Sequence, residues 1–156
     1  MKHLFIAALC LAGFMQVVAQ EPLKDWANFG RYKEANAAVQ QPVKAVFMGN
    51  SITDGWPAAD PDFFTKNGYV GRGIGGQVSA QMLMRFRQDV INLQPQAVVI
   101  LAGINDLAHN DYAVTPEQTF DNVVSMVQLA QANGIQVILC STLPAYQFGW
   151  RLIPGP

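Results

Sequence analysis

Cysteine is almost absent from this 156-residue chain, which holds only Cys10 and Cys140. Cys10 lies in a segment expected to be removed, so a lone thiol remains and no internal disulfide is available. Cys140 closes a strand-like apolar run and reads as a small buried hydrophobe rather than a nucleophile. Histidine is as scarce, with only His3 and His109, and no cluster of His, Cys, Asp or Glu has metal-ligand spacing. No metal and no cofactor is therefore implied. Charged residues make up 13% of the chain, the formal net charge is −1 and no basic run exists, which excludes the electrostatic footprint of a nucleic-acid binder.

A long apolar run is missing too. Leu4 to Val18 is short for a bilayer span, and it follows the positive charge of Met1-Lys2-His3. Val17-Val18-Ala19 places small residues where a signal peptidase reads, so residues 1–19 are expected to be a signal peptide cleaved after Ala19. An uncleaved anchor or a core helix is the competing reading of that stretch. The expected location is secreted or periplasmic, without stable membrane insertion.

What the chain does contain is hydrophobic residues, 51% of the total, enough for one domain with a sizeable core. Residues 20–42 form a polar lead-in with Trp26, Phe29 and Tyr32 at helical spacing. From residue 43 onward, apolar runs and amphipathic stretches alternate. Strands are predicted over 43–48, from Tyr69, over 97–102 and over 135–140. Ala97 to Ala102 is continuously apolar, as for a strand covered on both faces. A short helix is predicted from about Asp60 through Phe64, and a longer one over 78–93. In the longer helix Val78, Met82, Phe86 and Val90 form the core stripe, and Arg85, Arg87 and Asp89 are expected to face away. Thr115-Pro116-Glu117-Gln118 announces a third helix, with an N-cap threonine, a first-position proline and a capping-box glutamine. Its predicted apolar stripe is Phe120, Val123, Val124 and Val127. Strands alternating with helices predict a three-layer α/β/α parallel sheet.

Three motifs follow in order. The first predicted strand breaks at Gly49-Asn50-Ser51-Ile52-Thr53, where a serine enters a turn. Such a turn exposes a hydroxyl at the carboxyl edge of a sheet, although Gly-Asn-Ser is also ordinary turn chemistry. Gly73-Ile74-Gly75-Gly76 comes next, and Gly103-Ile104-Asn105-Asp106 closes the third strand. Taken together over about residues 25–150, these blocks resemble the SGNH, or GDSL-type, hydrolases. The nearest subgroup is that of secreted esterases similar to platelet-activating-factor acetylhydrolase. Asn50 departs from the aspartate that many members carry.

The resemblance implies a flavodoxin-like strand order, 2-1-3-4 and then a fifth, with Ser51 and Asn105 at the switch point between strands one and three. It also implies roles. Ser51 would be the nucleophile, and the N–H groups of Ser51 and Gly76 with the Asn105 amide would hold the oxyanion. Asp54 and Asp106 are read as loop-fixing carboxylates. The family's Asp-x-x-His block is not found before Pro156, so residues 43–156 are expected to be the front portion of the domain, incomplete at its C-terminal edge and inactive alone. Asp106-Leu107-Ala108-His109 spells the same pattern, but a base beside Asn105 would approach from the oxyanion side. His109 is therefore read as a loop residue.

Gly71-Arg72-Gly73-Ile74-Gly75-Gly76 matches the dinucleotide-binding glycine pattern. It follows the second strand instead of the first, and the next strand ends without a carboxylate, so nucleotide binding is not expected. The expected activity is hydrolysis of carboxylic esters, with acetylated carbohydrate or short-acyl lipid as the substrate. The alternative is a non-catalytic module that binds an ester or glycan without turnover. Oligomeric state is not legible.

Overall fold

The computed structural model describes residues 23–149. The expected signal peptide, with Cys10 in it, lies outside those residues. Four parallel strands form one sheet: β1 Ala45–Gly49, β2 Tyr69–Gly73, β3 Ala97–Leu101 and β4 Gln136–Leu139. Their spatial order is β2-β1-β3-β4, and Gly49 pairs in register with Gly73 on one side and Leu101 on the other. The winding reverses at β1, and the flavodoxin-like order is as expected.

Two layers of helix cover the sheet. On one face α4 (Ser79–Asp89) and α6 (Pro116–Ala132) bury Val46, Met48, Val98 and Ile100 against Met82, Phe86, Val90 and Met126, all fully inaccessible. The capping box at Thr115 forms as predicted, with Thr115 Oγ1 accepting from Gln118 N at 3.2 Å. On the other face α2 (Ser51–Ala59) and α3 (Pro61–Asn67) pack an aromatic cluster on β1 and β2. Phe47, Trp56, Phe63, Phe64 and Tyr69 meet there at centroid separations of 5.1–5.9 Å. Helix α2 lies so close to the sheet that a β-carbon at Gly73 would overlap the Asp54 amide, and one at Gly49 would overlap Thr53. Gly71 and Gly73, the first two glycines of the dinucleotide-like pattern, thus serve helix-on-strand contact.

Five expectations need correction. Arg85 and Asp89 do not face water; both are fully buried, and Arg85 Nη1 pairs with Asp89 Oδ2 at 3.0 Å. They can be buried because each guanidinium nitrogen of Arg85 finds an acceptor, as described below. Trp26, Phe29 and Tyr32 do not share one helix. Asp25 accepts from Gly30 N at 3.0 Å and Asn28 turns left-handed (φ 56°), so a 3₁₀ turn begins only at Phe29 and α1 at Lys33–Ala37. Strand β3 is fully buried on only one face, since α2 and α3 sit over β1 and β2 and leave Val99 and Leu101 half-buried. Phe120 is 64% exposed and Cys140 only half-buried, because the start of α6 and the end of β4 border an open apolar groove of about 390 Å³ that Leu107, Val123 and Leu139 also line.

The Arg85–Asp89 pair makes the fold sensitive to loss of one charge. Asp89→Ala leaves a buried guanidinium uncompensated and is expected to cost about 3–5 kcal/mol. Arg87→Ala, on the exposed face of the same helix, is expected to stay within about 0.5 kcal/mol of the parent. Urea denaturation of the two variants checks this, and equal midpoints would overturn it.

Candidate active site

The carboxyl ends of β1, β2 and β3 each release one of the three motif loops. Ser51 is the first residue of α2, directly after β1, and is exposed. Asn105 lies in α5 (Ile104–Leu107), directly after the neighbouring strand β3, and is buried. The glycine loop after β2 folds over toward Ser51. A β-carbon at Gly75 would stand 3.9 Å from Ser51 Cβ, in ordinary contact. Gly76 adopts φ 78°, a left-handed conformation that glycine takes without strain, and is exposed. The topology therefore brings all three predicted site residues to one edge of the sheet.

Hydrogen bonds fix this edge. Ile74 N donates to Gly49 O at 3.1 Å, which ties the glycine loop to the end of β1. Asp54 Oδ2 accepts from Gly75 N at 3.0 Å, and Asp54 Oδ1 accepts from Arg31 at 3.3 Å. Asn105 Nδ2 donates to Gln77 O at 2.9 Å. That bond uses one of the two amide hydrogens and leaves the second for another acceptor.

Asp106 performs a different task. Helix α4 begins at Val78, which has no side-chain acceptor for the free N–H groups of the first turn. Asp106 supplies one from α5. Its carboxylate accepts from Ser79 N at 3.0 and 2.9 Å and from Ser79 Oγ at 2.5 Å. Asn122 Nδ2 of α6 donates to Ser79 Oγ at 3.0 Å. Burial pushes the Asp106 carboxyl above its ordinary value, and the Ser79 hydrogen bonds pull it only partly back. Asp54 and Asp106 both accept backbone N–H groups, as read from the sequence.

Behind the loops lies a buried polar network that sequence patterning missed. Arg85 Nη2 donates to Gly49 O at 3.2 Å, and Arg85 Nε donates to Gln77 Oε1 at 2.6 Å. Gln77 Nε2 donates to Ala27 O at 2.8 Å. Asn36 Nδ2 donates to Asp89 Oδ1 at 2.7 Å, and its Oδ1 accepts from Arg72 Nε at 2.7 Å. The Arg72 guanidinium stands 4.8 Å from the centroid of the Tyr32 ring, whose hydroxyl donates to Gly73 O. Burial lowers the pKa of Arg85, opposed by the hydrogen bond and charge of Asp89. The available signal was the four-residue spacing of Arg85 and Asp89, which places the two charges on one face of α4.

His109 follows α5 in a left-handed turn (φ 48°), and its Nδ1 is buried without a hydrogen-bond partner among the described residues. Asn50, beside Ser51, is fully buried, and neither end of its amide is hydrogen-bonded among those residues. Unsatisfied buried polar groups are uncommon. Two of them at one sheet edge mark it off from the rest of the core.

Comparisons with known proteins converge on one family. The GDSL-like lipase/acylhydrolase family profile matches residues 47–155. A solved protein of Bacteroides fragilis NCTC 9343 is 58% identical with a TM-score of 0.79, over 83% of this chain and 64% of that one. A GDSL-like lipase from Bacteroides thetaiotaomicron is 57% identical with a TM-score of 0.77, over 80% and 63%. An acetyl xylan esterase, AlAXEase, is 27% identical with a TM-score of 0.53, over 63% and 57%. A lipoprotein of Bacillus subtilis (strain 168), YqeF, is 31% identical over 75 residues, which is 46% of this chain and 31% of that protein. The chain thus spans less than two thirds of the length of the solved relatives.

The raised pKa of Asp106 sets a pH test. The native carboxyl holds its proton to higher pH than the unfolded one, which titrates near 3.8. Its contribution to stability is therefore full below that value and falls as pH rises through the native pKa. Asp106→Asn cannot titrate. Raising the pH from about 3 to about 6 should shift the stability difference between parent and variant toward the variant. A shift the other way, in urea midpoints, would overturn the assignment.

Proposed function

Since the chain belongs to the GDSL-like lipase/acylhydrolase family, we propose that it is an exported serine esterase that cleaves short-acyl carboxylic esters. The observation that carries this reading is the convergence of the Ser51, Gly75-Gly76 and Asn105 loops on one sheet edge, with Ser51 exposed. Export rests on the basic and apolar N-terminus and on the lipoprotein relative. Among the described residues no helix is long and apolar enough to cross a membrane.

In the proposed reaction Ser51 Oγ attacks the ester carbonyl carbon while its proton passes to a general base. The carbonyl oxygen becomes an oxyanion, which takes hydrogen bonds from Ser51 N–H, Gly76 N–H and the second hydrogen of Asn105 Nδ2. The C–O bond to the alcohol then breaks, and the alcohol leaves with the proton. Water attacks the acyl-serine in turn, the base again takes and returns a proton, and the carboxylic acid departs. Gly76 suits its part because an exposed glycine lets substrate reach the main chain. Asn105 suits its own because the Gln77 carbonyl already fixes the amide plane, so no reorientation is needed during reaction.

The base is assigned to the histidine of the family's Asp-x-x-His block, which would lie beyond Pro156. His109 stands four residues after Asn105 and shares its turn, since Asn110 N donates to Asn105 O at 3.0 Å. A base must meet Oγ on the side away from the oxyanion donors.

These roles give a graded series in the full-length protein with p-nitrophenyl acetate. Ser51→Ala should reduce hydrolysis to background. Asn105→Ala should lower kcat by about 10²- to 10³-fold, as for loss of one oxyanion donor. His109→Ala should retain most activity. Parent-like turnover in Ser51→Ala would sink the esterase reading, and loss in His109→Ala equal to that in Ser51→Ala would reassign the base.

A further inference from the structure

Beside Gly76 lies an open cleft of about 310 Å³ between the N-terminal segment and the glycine loop. One wall is Ile74 to Gln77; the other carries Lys24, Asp25, Trp26 and Asn28, with Asp111 closing the end. The geometry points to this cleft as the subsite for a hydroxyl-rich alcohol, so that the substrate is an acylated sugar or similar polyol rather than a lipid. This inference rests on the reading of Ser51 as nucleophile and decides between the two substrate classes left open by it.

The argument begins with position. An ester whose carbonyl carbon faces Ser51 Oγ and whose oxygen faces Gly76 N–H carries its acyl and alcohol arms to either side of the carbonyl. The cleft starts at Gly75 and Gly76, so it offers room for one of them. Its walls then select which arm. Lys24, Asp25, Asn28 and Asp111 are exposed. An ammonium donates hydrogen bonds, carboxylates accept them, and an asparagine amide does both, which matches hydroxyl groups that also do both. A short acyl arm carries no such groups, and a lipid arm would leave these polar groups facing hydrocarbon. The alcohol arm of a polyol ester satisfies them.

The wall is also built to hold its shape. Trp26 Nε1 donates to Asp111, and the indole packs against Tyr112 with ring centroids 6.2 Å apart. Gln81 Nε2 donates to Trp26 O at 2.8 Å and Gln77 Nε2 to Ala27 O at 2.8 Å. The backbone of the N-terminal segment is thus clamped to the loop and helix that carry Gly76 and Gln77. A fixed indole edge with polar neighbours offers a sugar an apolar surface and directed hydrogen bonds together. The apolar groove that would suit a lipid chain opens at the β4 end of the sheet edge, whereas Gly76 follows β2 at the opposite end.

The test compares esters in the full-length protein. Steady-state kcat/KM is measured for an acetylated methyl xyloside, for tributyrin and for p-nitrophenyl acetate. The parent should favour the xyloside over tributyrin. Trp26→Phe removes the Nε1 donor to Asp111, and Asp111→Ala removes the acceptor. Each should lower the ratio of kcat/KM for the xyloside over p-nitrophenyl acetate by about tenfold. Lys24→Ala, with an exposed side chain, provides a third variant that should shift the ratio in the same direction without loss of the folded state. Preference for tributyrin, or a ratio within about twofold of the parent in all three variants, overturns the subsite. Failure of the esterase reading has a separate signature, namely p-nitrophenyl acetate hydrolysis that is the same in the parent and in Ser51→Ala.

Discussion

The buried guanidinium of Arg85 is the interaction on which the sheet edge depends. It reaches the carbonyl of Gly49 at the end of β1 and the side chain of Gln77 after the glycine loop, and it closes on Asp89 within its own helix. Gln77 in turn presents its carbonyl to Asn105 and its amide to Ala27. One side chain thereby links three of the elements that meet at Ser51. A buried cation is costly unless each donor is met, and here Nε, Nη1 and Nη2 all have acceptors. Because the geometry must be right for every one of them at once, the network restricts the loops to a narrow set of positions.

Much of the scaffold was legible in the residues themselves. Apolar runs marked three of the four strands and Tyr69-Val70 the start of the other, and Val78, Met82, Phe86 and Val90, all fully buried, were named correctly as the core stripe. Thr115 and Pro116 located the start of α6, where local chemistry alone decides the outcome. The order of the strands, and with it the meeting of the Ser51 and Asn105 loops, came from the family resemblance. Arg85 and Asp89 escaped notice because periodicity scores a charge as a solvent-facing residue. Their burial depends on partners at Gly49, Gln77 and Asn36, and no local window contains those pairings. The same holds for Asp106, whose partner Ser79 is 27 residues away.

Glycine carried a second ambiguity that only packing resolves. Gly71, Gly73 and Gly76 fit a phosphate-cradling pattern by spacing. In the fold, Gly71 makes room for Pro57 and Gly73 for the Asp54 backbone, so both serve the seating of α2 on β2. Gly76, by contrast, meets no neighbour at its missing β-carbon and owes its identity to backbone conformation and an open approach. Identical residues within one six-residue stretch thus answer to unrelated constraints, and spacing cannot separate them.

The bond between Trp26 and Asp111 joins residues 85 positions apart. For a chain made from its N-terminus, that separation becomes a delay. At ordinary synthesis rates the tryptophan emerges roughly 4 to 17 s before its partner exists. Gln77 and Gln81, the other residues that hold this segment, also follow it in the chain by at least 50 positions, so the wall of the cleft has none of these partners when it is made. The entrance to the proposed site is thus written before every one of these partners.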